Sequence, residues 1–287
     1  MGERVNVGIG LPSAIPGAEG STLIAWARKA DEGPFSSIGV VDRLRYYAFE
    51  PMTTLAMAAA ATRRIGLVTM VVIGPLRNNA VLAKQAATID AVSNGRFTLG
   101  LAVGARADDY EVAGIPHEGR GEVLADQLLD LRLLWERDGV SSLTTSGYGP
   151  PVLVGGMSDV AFLRAARYSD GYVHGGGPPR TFSRAAARAR TAWSDLGRPG
   201  APALWAQGYF ALGDADLVAR GRAYVQDYYS FTGPFSARIA EGMLATPQAI
   251  AQFVRGYAEA GCDELVLLPA VAELDQVDRL QDVLTGA

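Results

Sequence analysis

The sequence predicts an α/β fold, a (β/α)8 TIM barrel forming a single domain over residues 1–287. Three observations predict it. Short β-branched runs alternate with longer helical segments, the sequence form of repeated βα units. The runs number about eight, enough to close a parallel barrel. Runs such as Ile65–Ile73 are apolar on both faces, as strands are when helices cover one side and a barrel core fills the other. A length of 287 residues would allow two domains, but single α/β barrels of about 250 residues are common. Hydrophobic residues at 49% and charged residues at 20% supply a large core and exclude a disordered chain.

Taken in order, the first strand is Val5–Gly10, which begins almost at once. No apolar segment follows the basic residue at the N-terminus, so no signal peptide is read and a cytoplasmic location is expected. Met1-Gly2 opens like a myristoylation site, but Asn6 stands where Ser or Thr is wanted. Ser37–Val41 is the second strand. Glu50-Pro51 then starts a helix, with Pro at a first position where its missing N–H costs nothing. Leu55, Ala58, Ala59 and Thr62 follow at helical spacing. The third strand, Ile65–Ile73, lies in the longest apolar run, which ends at Leu76 and falls short of the ~20 residues that span a bilayer. Ala80–Val92 reads as a helix closed by Asn94-Gly95, a pair suited to left-handed backbone.

Phe97–Val103 is the fourth strand. Glu122–Trp135 is a helix with Val123, Leu124, Gln127/Leu128, Leu131 and Leu134/Trp135 on one stripe. Asp138 to Pro151 is weakly patterned and reads as a surface loop, because the βα rhythm resumes unchanged at Val152. The strands Val152–Val154, Gly171–His174, Ala203–Leu212 and Glu264–Leu268 complete the set. A helix over Asp159–Tyr168 lies among them, and another enters at Thr246-Pro247 and runs to Ala260.

Charge and composition exclude several functions. The net charge is −4, from 26 basic and 30 acidic residues, which lacks the cationic excess a nucleic-acid surface needs. Cys262 is the only cysteine, so no intrachain disulfide or multi-Cys metal site exists, and it reads as a structural thiol. With only His117 and His174, no His-rich metal site is expected either.

In such a barrel the chemistry sits at the C-terminal mouth of the strands. The residues there are Gly10-Leu11-Pro12, Asp42-Arg43, Ile73 to Arg77, Gly104 to Arg106, Gly155-Gly156-Met157 and Gly175-Gly176-Gly177-Pro178. Two of these turns are glycine-rich and open onto helices. Backbone N–H groups at Gly155-Gly156-Met157 could meet an anion with help from the helix dipole, and His174-Gly175-Gly176-Gly177 repeats the pattern. Plain turn chemistry is the alternative, and neither turn is a dinucleotide fingerprint.

A long ungapped phrase adds a family. Arg64-Ile65-Gly66-Leu67-Val68-Thr69-Met70-Val71, Pro75-Leu76-Arg77-Asn78-Asn79, Ala83-Lys84-Gln85-Ala86-Ala87-Thr88-Ile89-Asp90 and Ser93-Asn94-Gly95-Arg96 closely resemble the luciferase-like monooxygenase family, (β/α)8 barrels that bind flavin or a deazaflavin. The likeness is legible from Val5 to about Gly177. It implies a flavin-dependent oxidoreductase using reduced FMN and O2 on a small organic substrate. Coenzyme F420 with hydride transfer is the alternative, and a non-catalytic flavin-binding barrel is a third reading. It also implies a homodimer and, since no nicotinamide fingerprint is present, a separate flavin reductase.

By the same resemblance, Thr69, Met70 and Val71 form a bulge that in many relatives holds a non-prolyl cis peptide behind the isoalloxazine ring. Gly104, Arg106 and Tyr110 belong to a loop lining the ribityl chain. Arg120 reaches the flavin phosphate, and Gly155, Gly156 and Met157 donate main-chain N–H groups to it. Gly10 and Gly175 to Gly177 join the cofactor-binding candidates. The plain alternative for Arg106 and Arg120 is pairing with Asp108, Asp109 or Glu122.

Two departures stand out. Relatives read Ser-Asp-His after the second strand, whereas this chain reads Val41-Asp42-Arg43. Arginine stays protonated and cannot act as a general base. Arg43, beside Asp42, is therefore expected to clamp an anionic substrate group or to stabilise a reduced flavin anion. Asn78-Asn79 replaces the usual His-Pro. His174 completes the catalytic candidates, whereas His117 and the four tryptophans read as packing residues.

Overall fold

The computed structural model describes residues 5–136 and 144–286. The strands are β1 (Asn6–Gly10), β2 (Ser37–Val40), β3 (Gly66–Thr69), β4 (Val72–Ile73), β5 (Phe97–Ala102), β6 (Val152–Gly155), β7 (Gly171–His174), β8 (Ala203–Phe210) and β9 (Glu264–Pro269). All pair in parallel in the order β3-β2-β1-β9-β8-β7-β6-β5-β4, and a further β3–β5 pairing closes the ring. β3 and β4 are two halves of one staves-worth of chain, so the closed barrel has eight strands. The expected TIM barrel is the observed fold.

The single run expected over Ile65–Ile73 is broken for a reason of register. Val68 pairs with Thr98 and Val72 with Leu101, so four steps on one strand face three on its neighbour. One residue is extra, and the chain bulges at Thr69, Met70 and Val71. The Met70–Val71 peptide is cis. Thr69 anchors the bulge, since its Oγ1 donates to the Gly100 carbonyl at 2.8 Å and accepts from the Gly100 N–H at 2.8 Å. A Cβ on Gly100 would strike the Thr69 carbonyl oxygen, so this close approach needs glycine.

Helices α1 (Gly20–Glu32), α2 (Pro51–Ala61), α3 (Asn79–Ser93), α4 (Ala107–Ala113), α5 (Arg120–Glu136), α6 (Asp159–Tyr168), α7 (Pro179–Asp195), α8 (Ala215–Tyr228), α9 (Phe235–Glu241), α10 (Pro247–Glu259) and α11 (Gln276–Thr285) fill the connections. Their ends follow local chemistry. Pro51 stands at the first position of α2, and the Glu50 carboxylate accepts from Thr53 N–H. Asn94 closes α3 in the left-handed conformation at φ 56°. Asn78 caps the same helix by accepting from Ala80 N–H and Val81 N–H. The Asn-Asn departure therefore does the work of a helix cap.

Alternation along the strands divides the core in two. Leu67, Leu99, Leu101, Val152, Val154, Leu265 and Leu267 pack outward under the helices with Trp26, Trp135 and Phe182. Val68, Met70, Leu153, Val173, Val266 and Leu268 pack together inside the barrel, with Tyr228 above them. Cys262 is buried with its Sγ near the Leu204 and Glu264 carbonyls, and burial pushes its thiol pKa up, in keeping with a structural thiol. Of the weakly patterned stretch Asp138 to Pro151, residues 138–143 lie outside the described residues, as does Met1-Gly2, while 144–151 carry turns. Among the described residues no helix is long and apolar enough to cross a membrane, and no cluster of His, Cys, Asp and Glu could hold a metal.

At the N-terminal end of the barrel one carboxylate sits inside. Glu264 is 4% exposed and accepts from the Ser36 and Ser37 hydroxyls at 2.5 Å each. Burial raises its pKa and the two serine donors only partly oppose this. The folded state thus holds the proton more tightly than the unfolded chain. The stability it contributes is full below the ordinary carboxylate pKa and is lost as pH rises through the raised folded value. Glu264→Gln should therefore be at least as stable as the parent at neutral pH and should flatten the acid side of the melting-temperature profile. An equal loss of stability at every pH would contradict this.

Candidate active site

Each strand delivers its last residues to one rim, and the rim has two unlike halves. On the β2–β5 side the residues are charged and tied to one another. Asp42 is 4% exposed, pairs with Arg77 at 2.6 Å and accepts from Ile73 N–H at 2.8 Å. Burial raises its pKa, against the pull of the Arg77 guanidinium and the Ile73 N–H. Arg43 pairs with Asp108 and Asp109, each at 2.9 Å. Asp109 also accepts from Leu44 N–H and Arg45 N–H, so it gathers the whole β2–α2 loop onto α4. Arg43 is the residue that meets these acids; Arg106 and Arg120 do not.

Arg106 instead enters an aromatic wall. Its guanidinium lies 4.4 Å from the Tyr228 ring centre and 4.4 Å from that of Phe231, and it donates to the Tyr228 carbonyl at 3.0 Å. The Arg43 guanidinium approaches the same Tyr228 ring at 5.6 Å and Tyr46 at 5.1 Å. Tyr110 is buried on α4, donates to the Val103 carbonyl, and has its phenol pushed up to about 12 by burial. Arg120 opens α5, donates to the His117 carbonyl at 2.8 Å and keeps an unpartnered Nε. Met70 packs with Tyr228 over the barrel core, whereas Val71 keeps partial exposure. Gly104 adopts φ +68° against Ile73, and Gly10 lets β1 approach Leu268 and Pro269 closely.

The β6–β8 side is apolar and open. A cavity of about 700 Å³ lies there, a volume in the range of small-molecule sites. Of the expected residues, Met157, His174, Gly175, Gly176 and Gly177 line it, while Gly155 and Gly156 stand just behind at the end of β6. Gly176 and Gly177 take φ of +103° and +109°, which side-chain-bearing residues rarely adopt, and so turn the backbone along the cavity wall. Gln207, Tyr209, Phe253 and the α9 residues Phe235, Arg238 and Ile239 complete much of the lining. Among the described residues lining it there is no Asp or Glu. His174 is 2% exposed, with Nδ1 3.2 Å from the Tyr172 hydroxyl and Nε2 3.4 Å from Thr181 Oγ1. Burial lowers its pKa to about 4, only partly offset by the Gly176 backbone, so it is neutral at physiological pH.

Sequence reasoning marked Phe231 to Met243 as a substrate-shaping loop, part of which is helix α9, but did not reach the tyrosines of the aromatic wall. The run Tyr228-Tyr229-Ser230-Phe231 after a helix was the available signal, since four aromatic or small residues at a helix exit seldom face water together. Their role depends on α8 returning them over the mouth, a long-range fact.

The geometry has counterparts. The model of a family described as "Luciferase-like monooxygenase" matches residues 6–264. An uncharacterized protein of Mycobacterium tuberculosis is 29% identical over 209 residues, covering 61% of this chain and 72% of that protein. Among solved structures, an F420-dependent secondary alcohol dehydrogenase in complex with an F420-acetone adduct superposes with a TM-score of 0.81 at 16% identity, covering 98% of each chain. The monooxygenase RslO1 from Streptomyces bottropensis does so with a TM-score of 0.78 at 21% identity, again covering 98% of each.

Removing one partner of a fully buried ion pair costs about 3–5 kcal/mol, because the other charge is left uncompensated. Asp109 is 0% exposed, so Asp109→Ala should lower unfolding stability in urea by about that amount. A loss of less than about 1 kcal/mol would mean that the pair does not hold the rim together.

Proposed function

Because the chain belongs to the luciferase-like monooxygenase family, we propose that it is a flavin-dependent oxidoreductase, a monooxygenase using reduced FMN and O2 on a small organic substrate. The observation that carries this reading is the cavity at the β6–β8 rim, which is apolar, holds no carboxylate among its described lining, and contains one histidine held neutral. Such a site is poorly equipped to move protons and well equipped to exclude water. That division suits a reaction in which the coenzyme carries the electrons and the protein orients and shields.

The residues present fit an FMN-sized anion-bearing ligand. Arg106 Nε and Arg120 Nε are buried donors without partners, and Gly175 faces open space on the cavity wall. Arg120 and the turn Gly155-Gly156-Met157 would hold the phosphate, Arg106 and Gly104 the polar chain, and Gly175 to Gly177 with Met70 and Val71 the ring system. Bound reduced flavin would supply the electrons that activate dioxygen. Tyr209, Phe253 and Ile239 would keep water from the reacting centre and offer an apolar surface to the substrate. His174 would orient the substrate through a hydrogen bond at Nε2, beside Thr181, without carrying charge. Asp42 and Arg43, engaged with Arg77 and with Asp108 and Asp109, would act by positioning the loops of the rim. Reduced flavin would come from a separate reductase.

Titrating the apo-protein with FMN and with coenzyme F420 tests the reading. FMN should bind and F420 should not, and reduced FMN with substrate should consume O2. Binding of F420 alone would overturn the monooxygenase reading, and binding of neither would favour a barrel without redox chemistry. Arg120→Ala should weaken FMN binding by ~1.5–3 kcal/mol, the scale of a hydrogen bond to a charged group. An unchanged affinity would remove Arg120 from the site.

A further inference from the structure

A second cleft, of about 420 Å³, lies outside the mouth, between the first turns of α5 and the flank of α6. Gly119, Gly121 and Glu122 line it from α5 and its approach; Leu163, Arg164 and Arg167 line it from α6. Its unusual member is Arg164. This residue is 8% exposed, its Nε has no hydrogen-bond partner, and among the described residues it makes no ion pair. Burial lowers its pKa with no anion to oppose the shift. Arg96, whose pKa burial also lowers, differs in donating five hydrogen bonds to the chain around it. Nε is shut away from water without an acceptor while the side chain lines the cleft, so an anion seated there would meet an arginine with no competing ion pair among the described residues.

The surroundings identify that anion. Arg164 Nη2 lies 2.8 Å from where a Cβ on Gly121 would sit, so glycine at the second position of α5 leaves the guanidinium against that helix's first turn. First-turn N–H groups of a helix lack intrahelical acceptors, and a 17-residue helix presents partial positive charge there. Arg167 adds a second, exposed guanidinium. Glu122 shares the cleft but forms no ion pair with either arginine among the described residues. Two guanidinium forks beside a helix N-terminus match a tetrahedral dianion better than a lone carboxylate.

We propose that this cleft binds a phosphate group, with Arg164 as its principal ligand and Arg167 and the first turn of α5 completing the seat. The phosphate belongs to inorganic phosphate or to a phosphorylated metabolite, separate from any coenzyme held at the mouth. The site stands on the buried arginine and does not depend on the redox reading of the mouth.

Calorimetric titration of the full-length protein with inorganic phosphate tests it. The parent should bind phosphate, and Arg164→Met should weaken that binding about ten- to a hundredfold, as expected for loss of a charged hydrogen-bonding group. Gly121→Ala, which crowds the guanidinium without removing it, should weaken binding too and serves if Arg164→Met fails to fold. Repeating the titration with saturating FMN separates the cleft from the mouth. Undiminished phosphate binding is expected, and competition by FMN would assign the bound phosphate to the mouth and overturn the proposal. No phosphate binding by the parent, or equal affinity in both variants, would overturn the proposal.

Discussion

The contact on which the mouth depends is the buried pair of Arg43 with Asp109. Asp109 satisfies one guanidinium and two backbone N–H groups of the β2–α2 loop at once, with Asp108 as a second anchor. This fixes Tyr46 beside Tyr228, their rings edge to face at 5.4 Å, and Tyr228 in turn carries the guanidinium of Arg106. Charge, loop and aromatic wall are thus one assembly, and it occupies half of the barrel mouth. The open volume is left to the β6–β8 half, where glycines and apolar side chains form the walls. Apolar surroundings strengthen a hydrogen bond made within them, and burial favours the neutral form of His174.

The same assembly explains why the departure from Ser-Asp-His matters. An arginine in place of that histidine is not left facing the cavity; it is spent on acids supplied by α4. Asp42 is likewise engaged, with Arg77 and the Ile73 N–H. Protonation chemistry on this side of the rim would require breaking buried ion pairs. The oxygenase reading therefore rests on what the β6–β8 half provides.

Much of the fold was legible in the residues. Parallel strands announced themselves as two-faced apolar runs, and helix ends at Glu50-Pro51 and Asn94-Gly95 followed local backbone chemistry. The break in the third strand was not legible, because a one-residue surplus exists only relative to β5. Resemblance pointed to that bulge where periodicity read straight through it. Helix α4 was read as a loop, since its seven residues carry three acids whose partners lie more than sixty residues away. At the site, the glycine turns and His174 were readable as the ends of strands, whereas Tyr209, Tyr228 and Arg238 come from elements that only the closed barrel brings together. The likeness visible by eye ended near Gly177, although the family model continues to residue 264.

The central claim is that the open half of the mouth, beside His174 to Gly177, is where a redox coenzyme works. Crystals soaked in FMN test it most directly. The account predicts continuous density for the coenzyme filling that cavity, in contact with the Gly175–Gly177 backbone and bounded by Tyr209. Coenzyme density confined elsewhere, with the cavity still empty at saturating FMN, would contradict it.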